Sequence, residues 1–151
     1  IGHVQTNKVK YMAPFVSLIH AVDSIKLLKE INKQASKNNR IINCLIQVKI
    51  AQEDTKYGMT EKDSNALLVS EEVRSFQNIK IVGLMGMATF TDNRAQVSAE
   101  FQKLYAYYNE LKEDYQFDTL SMGMSGDYQL AIENGSTMIR VGSKIFGERN
   151  Y

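Results

Sequence analysis

Short apolar runs alternate along this chain with longer stretches whose apolar positions recur every three or four residues. "SLIHAV" (17–22) predicts a strand; Asp23 and Ser24 then supply capping residue types, and Leu27, Leu28, Ile31 and Ala35 form one helical stripe. "IINCLIQVKI" (41–50) is apolar on both faces, as buried parallel strands are. Thr60 and Asp63 stand at capping-box spacing, and Ala66, Val69, Val73 and Phe76 predict the face of the helix that follows. "IKIVGLMGM" (79–87) is the third clear strand. From Arg94 to Tyr115 the positions Val97, Phe101, Leu104, Tyr105, Tyr108, Leu111 and Tyr115 keep helical spacing and predict the longest helix. "DTLSMGMS" (118–125) reads as a strand and its loop, and a short helix from Asp127 to Glu133 stops at Asn134-Gly135. "TMIRVG" (137–142) is the last strand, and "IGHVQTNK" at the start reads as the end of a strand entering a loop.

Strict alternation of strand and helix implies a parallel sheet covered by helices, either doubly wound or closed as a (β/α)₈ barrel. No G-x-G-x-x-G and no P-loop follows any of these strands, which favours the TIM-type barrel. The barrel is incomplete: about five strands plus the end of a sixth at residues 1–3, where closure takes eight. The 151 residues, 44% hydrophobic and 23% charged, suit one domain with a real core. A net charge of +1, from 18 basic and 17 acidic residues, signals neither nucleic acid nor an anionic membrane. No apolar stretch approaches the ~20 residues of a membrane span, and no leader pattern is visible. The single cysteine, Cys44, lies among apolar neighbours; it reads as an inert buried thiol and fits a reducing, cytoplasmic setting.

Candidate chemistry gathers at the last two strands. Ser125-Gly126-Asp127 follows one of them and Gly142-Ser143 the other, each at a predicted helix start. In (β/α)₈ barrels a phosphate commonly sits on the loops after the last two strands. Glycine admits close backbone approach, and serine adds a donor. Plain N-capping by two serines fits the same spacing, and spacing alone does not separate the two. Arg140 lies inside the final strand, where either face is buried and a guanidinium needs an anion or acceptor. An internal salt bridge and a contact to a bound cofactor are the two accounts of it. His20, inside "SLIHAV", reads as a satisfied core histidine.

"IGHVQTNK", "SMGMSGD" and "ENGSTMIRVGSKIFGERNY" closely resemble the pyridoxal phosphate homeostasis proteins of the YggS/PROSC type, single-domain barrels related to the N-terminal domain of alanine racemase. "AVDS", "LIQVKIAQEDTKYGM" and "IVGLMGMATFTDN" match further family segments in the same order, so the resemblance covers essentially the whole chain. It implies that Ser125, Gly142 and Ser143 bind the 5′-phosphate of pyridoxal phosphate with Met124 beside it, that Arg140 faces the pyridine nitrogen, and that His3 lies near the cofactor or makes a structural hydrogen bond. Because arginine does not readily give up a proton, the ring nitrogen would stay largely unprotonated and the ring would be a poorer electron sink.

Relatives carry the Schiff-base lysine on a first strand and an asparagine near the ring on a second. Neither strand occurs in this sequence, so the resemblance implies that residues 1–151 are the C-terminal part of a single cofactor-binding barrel, with the lysine on the N-terminal part. Lys49, at a strand end, and Lys56, in "EDTKYG", are the amines nearest the expected mouth, and solvated lysines are the simpler account of both. The function implied is a cytoplasmic pyridoxal phosphate binding and homeostasis protein, without catalytic residues or metal. The alternative is a pyridoxal phosphate-dependent amino-acid racemase of the same barrel class, which needs a second base from elsewhere. An unrelated phosphate-sugar enzyme has the loops without paired carboxylates. Family members at full length are expected to be monomeric, whereas open sheet edges predict that this chain self-associates.

Overall fold

The predicted apolar runs become strands, and the computed structural model describes residues 1–53 and 57–147. β1 (Leu18–Val22), β2 (Ile42–Lys49), β3 (Ile79–Met87), β4 (Thr119–Met124) and β5 (Met138–Arg140) lie side by side in chain order, and all run parallel. Between them run α2 (Ile25–Lys37), α3 (Glu61–Val69), α4 (Glu71–Arg74), α5 (Arg94–Tyr115) and α6 (Tyr128–Glu133); α7 (Ser143–Phe146) follows β5. The strand end expected at residues 1–3 is not formed. Ile1 to Gln5 join no ladder, and a 3-10 turn over Thr6–Lys8 leads into α1 (Val9–Met12). The physical reason is anchorage: Val9 and Ala13 are fully buried, whereas Ile1 is 71% exposed and held by no core contact.

Local chemistry sets the element ends. Ser24 caps α2 by accepting from the Leu27 N–H, and all four predicted stripe residues, Leu27, Leu28, Ile31 and Ala35, are buried. Asp63 N–H donates to Thr60 Oγ1, and the Thr60 hydroxyl donates back to Asp63 Oδ2, so the capping box closes through side chains. The face predicted beyond it does not hold. Ala66 is exposed and Val69 is half-exposed at its helix end, while Ser64, Leu67 and Leu68 are buried. Ser70 adopts an extended backbone (φ −60°, ψ 128°) that separates α3 from α4, so one periodicity carried across it does not describe one face. In α5 the predicted Val97, Phe101, Leu104 and Tyr108 are buried, but Tyr105 is 40% exposed and Tyr107 takes a core position. Tyr107 enters with its polar end satisfied, its hydroxyl donating to Asn65 Oδ1 at 2.8 Å. The Tyr105 ring instead covers Gly135, which has φ +90° just past α6 and closes that helix as Asn134-Gly135 predicts.

The core has two layers. Helices cover the outer face of the sheet through Ile42, Cys44, Ile46, Val48, Leu84, Leu120 and Met122. Ala21, Leu45, Val82 and Met85 form a smaller cluster on the inner face. β3 and β4 approach so closely that a Cβ on Gly83 would overlap the Thr119 carbonyl. The sheet is strongly curled: His20 on β1 hydrogen-bonds Ser121 on β4 at 3.1 Å. Across a flat sheet, three strand spacings would hold them roughly 14 Å apart. The chain is therefore α/β, a parallel five-stranded half-barrel of TIM type.

Candidate functional site

Parallel strands bring their C-terminal ends to one rim, and the loops after β4 and β5 meet there. The Met124 N–H donates to Asp127 Oδ1 at 2.6 Å, and the Asp127 N–H returns to the Met124 carbonyl, closing the turn into α6. Ser125 does not cap α6. Its Oγ crosses to the neighbouring loop and accepts from the Gly142 N–H at 3.0 Å and the Lys144 N–H at 3.4 Å. Ser143 is the exposed first residue of α7, behind Gly142 at the N-cap position, and it caps nothing. Plain capping by two serines therefore fails. One serine oxygen instead occupies the point where two backbone N–H groups converge, the arrangement an anionic oxygen would use. A Cβ on Gly142 would meet nothing within 4 Å, and its φ of −124° suits any residue. The protein's own packing thus does not demand glycine there, and space beside the loop is open. Met124 stands on the same rim, 41% exposed.

Arg140 is 5% exposed. Its Nη1–H donates to Ser121 Oγ at 2.7 Å and its Nη2–H to the Gly86 carbonyl at 3.0 Å. Among the described residues it has no carboxylate in ion-pair range, and its buried Nε has no acceptor. Of the two sequence accounts, the internal salt bridge finds no partner among the described residues. Burial pushes the guanidinium down to about 10, with Asp127 acting the other way, so it stays charged at neutral pH. His20 is 8% exposed and satisfied through Ser121, as a core histidine should be. Burial first, then the Arg140 charge, lowers its pKa to about 4, so it is neutral at pH 7.

His3 makes its contacts with other residues. Its Nδ1 is 3.3 Å from Asp23 Oδ2, and its ring stacks on Tyr57 at 4.2 Å, so it makes a structural pairing just past the end of β1. No hydrogen bond, ion pair or ring contact joins it to Arg140, Ser125, Gly142 or Ser143. Lys49 ends β2 half-buried, and Lys56 lies outside the described residues. Cys44 is fully buried and pushed up to about 12, an unreactive thiol. Among the described residues no group of His, Cys, Asp or Glu can hold a metal ion, and no helix is long and apolar enough to cross a membrane. Sequence reasoning missed Ser121 and Gly86. The visible signal was a serine in the middle of the apolar run "LSMGM".

A family model described as alanine racemase, N-terminal domain, matches residues 1–150. The pyridoxal phosphate homeostasis protein of Aquifex aeolicus is 41% identical over 153 residues, and that of Homo sapiens is 34% identical over 160. Both alignments take in the whole of this chain, which spans 66% and 58% of those proteins. Among solved structures, PipY of Synechococcus elongatus PCC7942 with PLP bound matches with a TM-score of 0.85 at 31% identity, over 97% of this chain and 68% of that one. Alanine racemase of Clostridium difficile 630 in complex with cycloserine matches with a TM-score of 0.75 at 12% identity, a likeness of fold alone. With a family model spanning nearly its full length and relatives aligned along all of it, this chain belongs to the alanine racemase N-terminal domain family.

Proposed function

We propose that this chain binds pyridoxal 5′-phosphate and belongs to a cytoplasmic protein of pyridoxal phosphate homeostasis, which holds the cofactor rather than turning over a substrate. The observation that carries the reading is the buried Arg140 Nε without an acceptor among the described residues, two residues before the loop where Ser125 gathers two backbone N–H groups. A phosphorylated ring with an acceptor nitrogen matches both features. Ser125, Gly142 and Ser143 hold the phosphate, Met124 flanks it, and Arg140 faces the ring nitrogen. His3, paired with Asp23, borders the mouth. Bound pyridoxal phosphate supplies an aldehyde electrophile conjugated to an electron-withdrawing ring. Arg140, charged up to about 10, offers a hydrogen bond to the ring rather than a proton, which leaves the ring a weak electron sink. The names of the relatives and the ligand in the PipY structure support the same reading.

Equilibrium titration with pyridoxal phosphate tests it. Arg140→Ala weakens binding about 10- to 100-fold, the range for losing one hydrogen bond from a charged group. Gly142→Val loses phosphate binding yet keeps its melting temperature, because a side chain there meets only open space. If both variants bind like wild type, the site is elsewhere.

A further inference from the structure

Ser121 is completely buried in the middle of β4. A hydroxyl has one proton to give and lone pairs to receive. Arg140 only donates, so Ser121 Oγ accepts its Nη1–H at 2.7 Å. Among the described residues the serine's own proton has one acceptor within reach, His20 Nδ1 at 3.1 Å, and the contact satisfies that proton in the tautomer of neutral His20 that carries its hydrogen on Nε2. In that tautomer the donors run in order from Arg140 through Ser121 to His20. A hydroxyl that donates in this way is a better acceptor for the arginine. The second Nη is held by the Gly86 carbonyl on β3. A planar guanidinium gripped at both Nη atoms from two neighbouring strands cannot swing.

Resting on the function proposed above, we infer that Ser121 is a positioning residue, backed by His20. The two orient the Arg140 guanidinium so that its Nε–H is presented to the ring nitrogen of a pyridine phosphate seated on the Ser125–Gly142 loops. His20 and Ser121 would then touch no ligand themselves. The curl of the sheet is part of the device, because it alone brings β1 and β4 within hydrogen-bond reach. This accounts for two polar side chains on an inner face whose neighbouring cluster is Ala21, Leu45, Val82 and Met85.

The test compares two ligands on the whole chain: pyridoxal phosphate, and its 1-deaza analogue in which a C–H replaces the ring nitrogen. Inorganic phosphate serves as a separate probe of the loops. Wild type binds pyridoxal phosphate at least about tenfold more tightly than the analogue, the lower end of what a hydrogen bond from a charged group confers. Ser121→Ala brings the two Kd values within about twofold and leaves inorganic phosphate binding unchanged, and Ser121→Thr keeps the preference. Should Ser121→Ala fail to fold, Ser121→Cys fills the same space with a weak acceptor and gives the same loss of preference. A Ser121→Ala protein that weakens both ligands alike and keeps their ratio makes Ser121 merely structural and overturns the inference. A wild type that binds both ligands equally overturns it too, by removing the ring-nitrogen contact while leaving the phosphate loops standing. Failure of wild type to bind pyridoxal phosphate at all removes the functional reading, and the inference with it.

Discussion

At the scale of single residues, burial decides which polar groups carry chemistry. Cys44 and His20 are both enclosed, and both are held in their neutral forms, the thiol up at about 12 and the imidazole down at about 4. For His20 this links to stability. The unfolded chain protonates it below the usual value of 6.5, while the fold keeps it neutral down to about 4. Between those limits the unfolded state binds the extra proton, so stability falls as pH drops from 6.5 toward 4 and is fully present above 6.5. Melting temperatures across that range should therefore decline less steeply for His20→Asn, which cannot titrate, than for wild type. Equal slopes would mean that His20 charges freely in the folded chain.

At the scale of elements, α5 separates periodicity from packing. The sequence treats Phe101 and Tyr105 as members of one stripe. In the structure Phe101 is fully buried, and Tyr105, 40% exposed, lies over Gly135. Phe101→Ala should cost about 3–5 kcal/mol, through lost transfer energy and the cavity left behind. Tyr105→Ala, which empties no enclosed space, should cost only about 1 kcal/mol. Urea unfolding of the two variants checks this, and similar costs would place Tyr105 in the core after all. The break at Ser70 carries the same lesson: Val73 is buried and Val69 exposed, although they stand four residues apart, because the extended residue between them resets the helical phase.

At the scale of the whole molecule, the sheet is open. β1 pairs only with β2, and β5 only with β4, so each leaves an unpaired edge among the described residues. Beside the β5 edge, Ile139, Ile145 and Phe146 are exposed, Phe146 at 87%. Unpaired edges flanked by apolar surface invite pairing with another chain, and a net charge of +1 opposes association only weakly. Light scattering at micromolar concentration should find a dimer or larger species. A monodisperse monomer would show that three-residue β5 is too short to template a partner.

Much of this protein is legible in its amino-acid order. Alternating apolar runs and helical stripes specify a parallel α/β sheet, because each element must bury one or both faces whatever its neighbours are. "SMGMSGD" and "MIRVGS" mark the rim of the candidate site because small and polar residues there end the last two apolar runs. Residue order could not decide which polar side chains meet. Ser121 and Arg140 stand 19 residues apart, and His20 and Ser121 are separated by 101. Pairing of β4 with β5 joins the first two, whereas His20 reaches Ser121 only through the curl of the sheet, to which strand twist contributes. Nor could spacing show that Ser125 serves the neighbouring loop rather than its own helix, or that Ile1 to Gln5 form no strand. Hydrophobic pattern is a property of one segment, whereas a hydrogen-bond partner or a ladder neighbour is supplied by another, and the tertiary fold alone brings the two together.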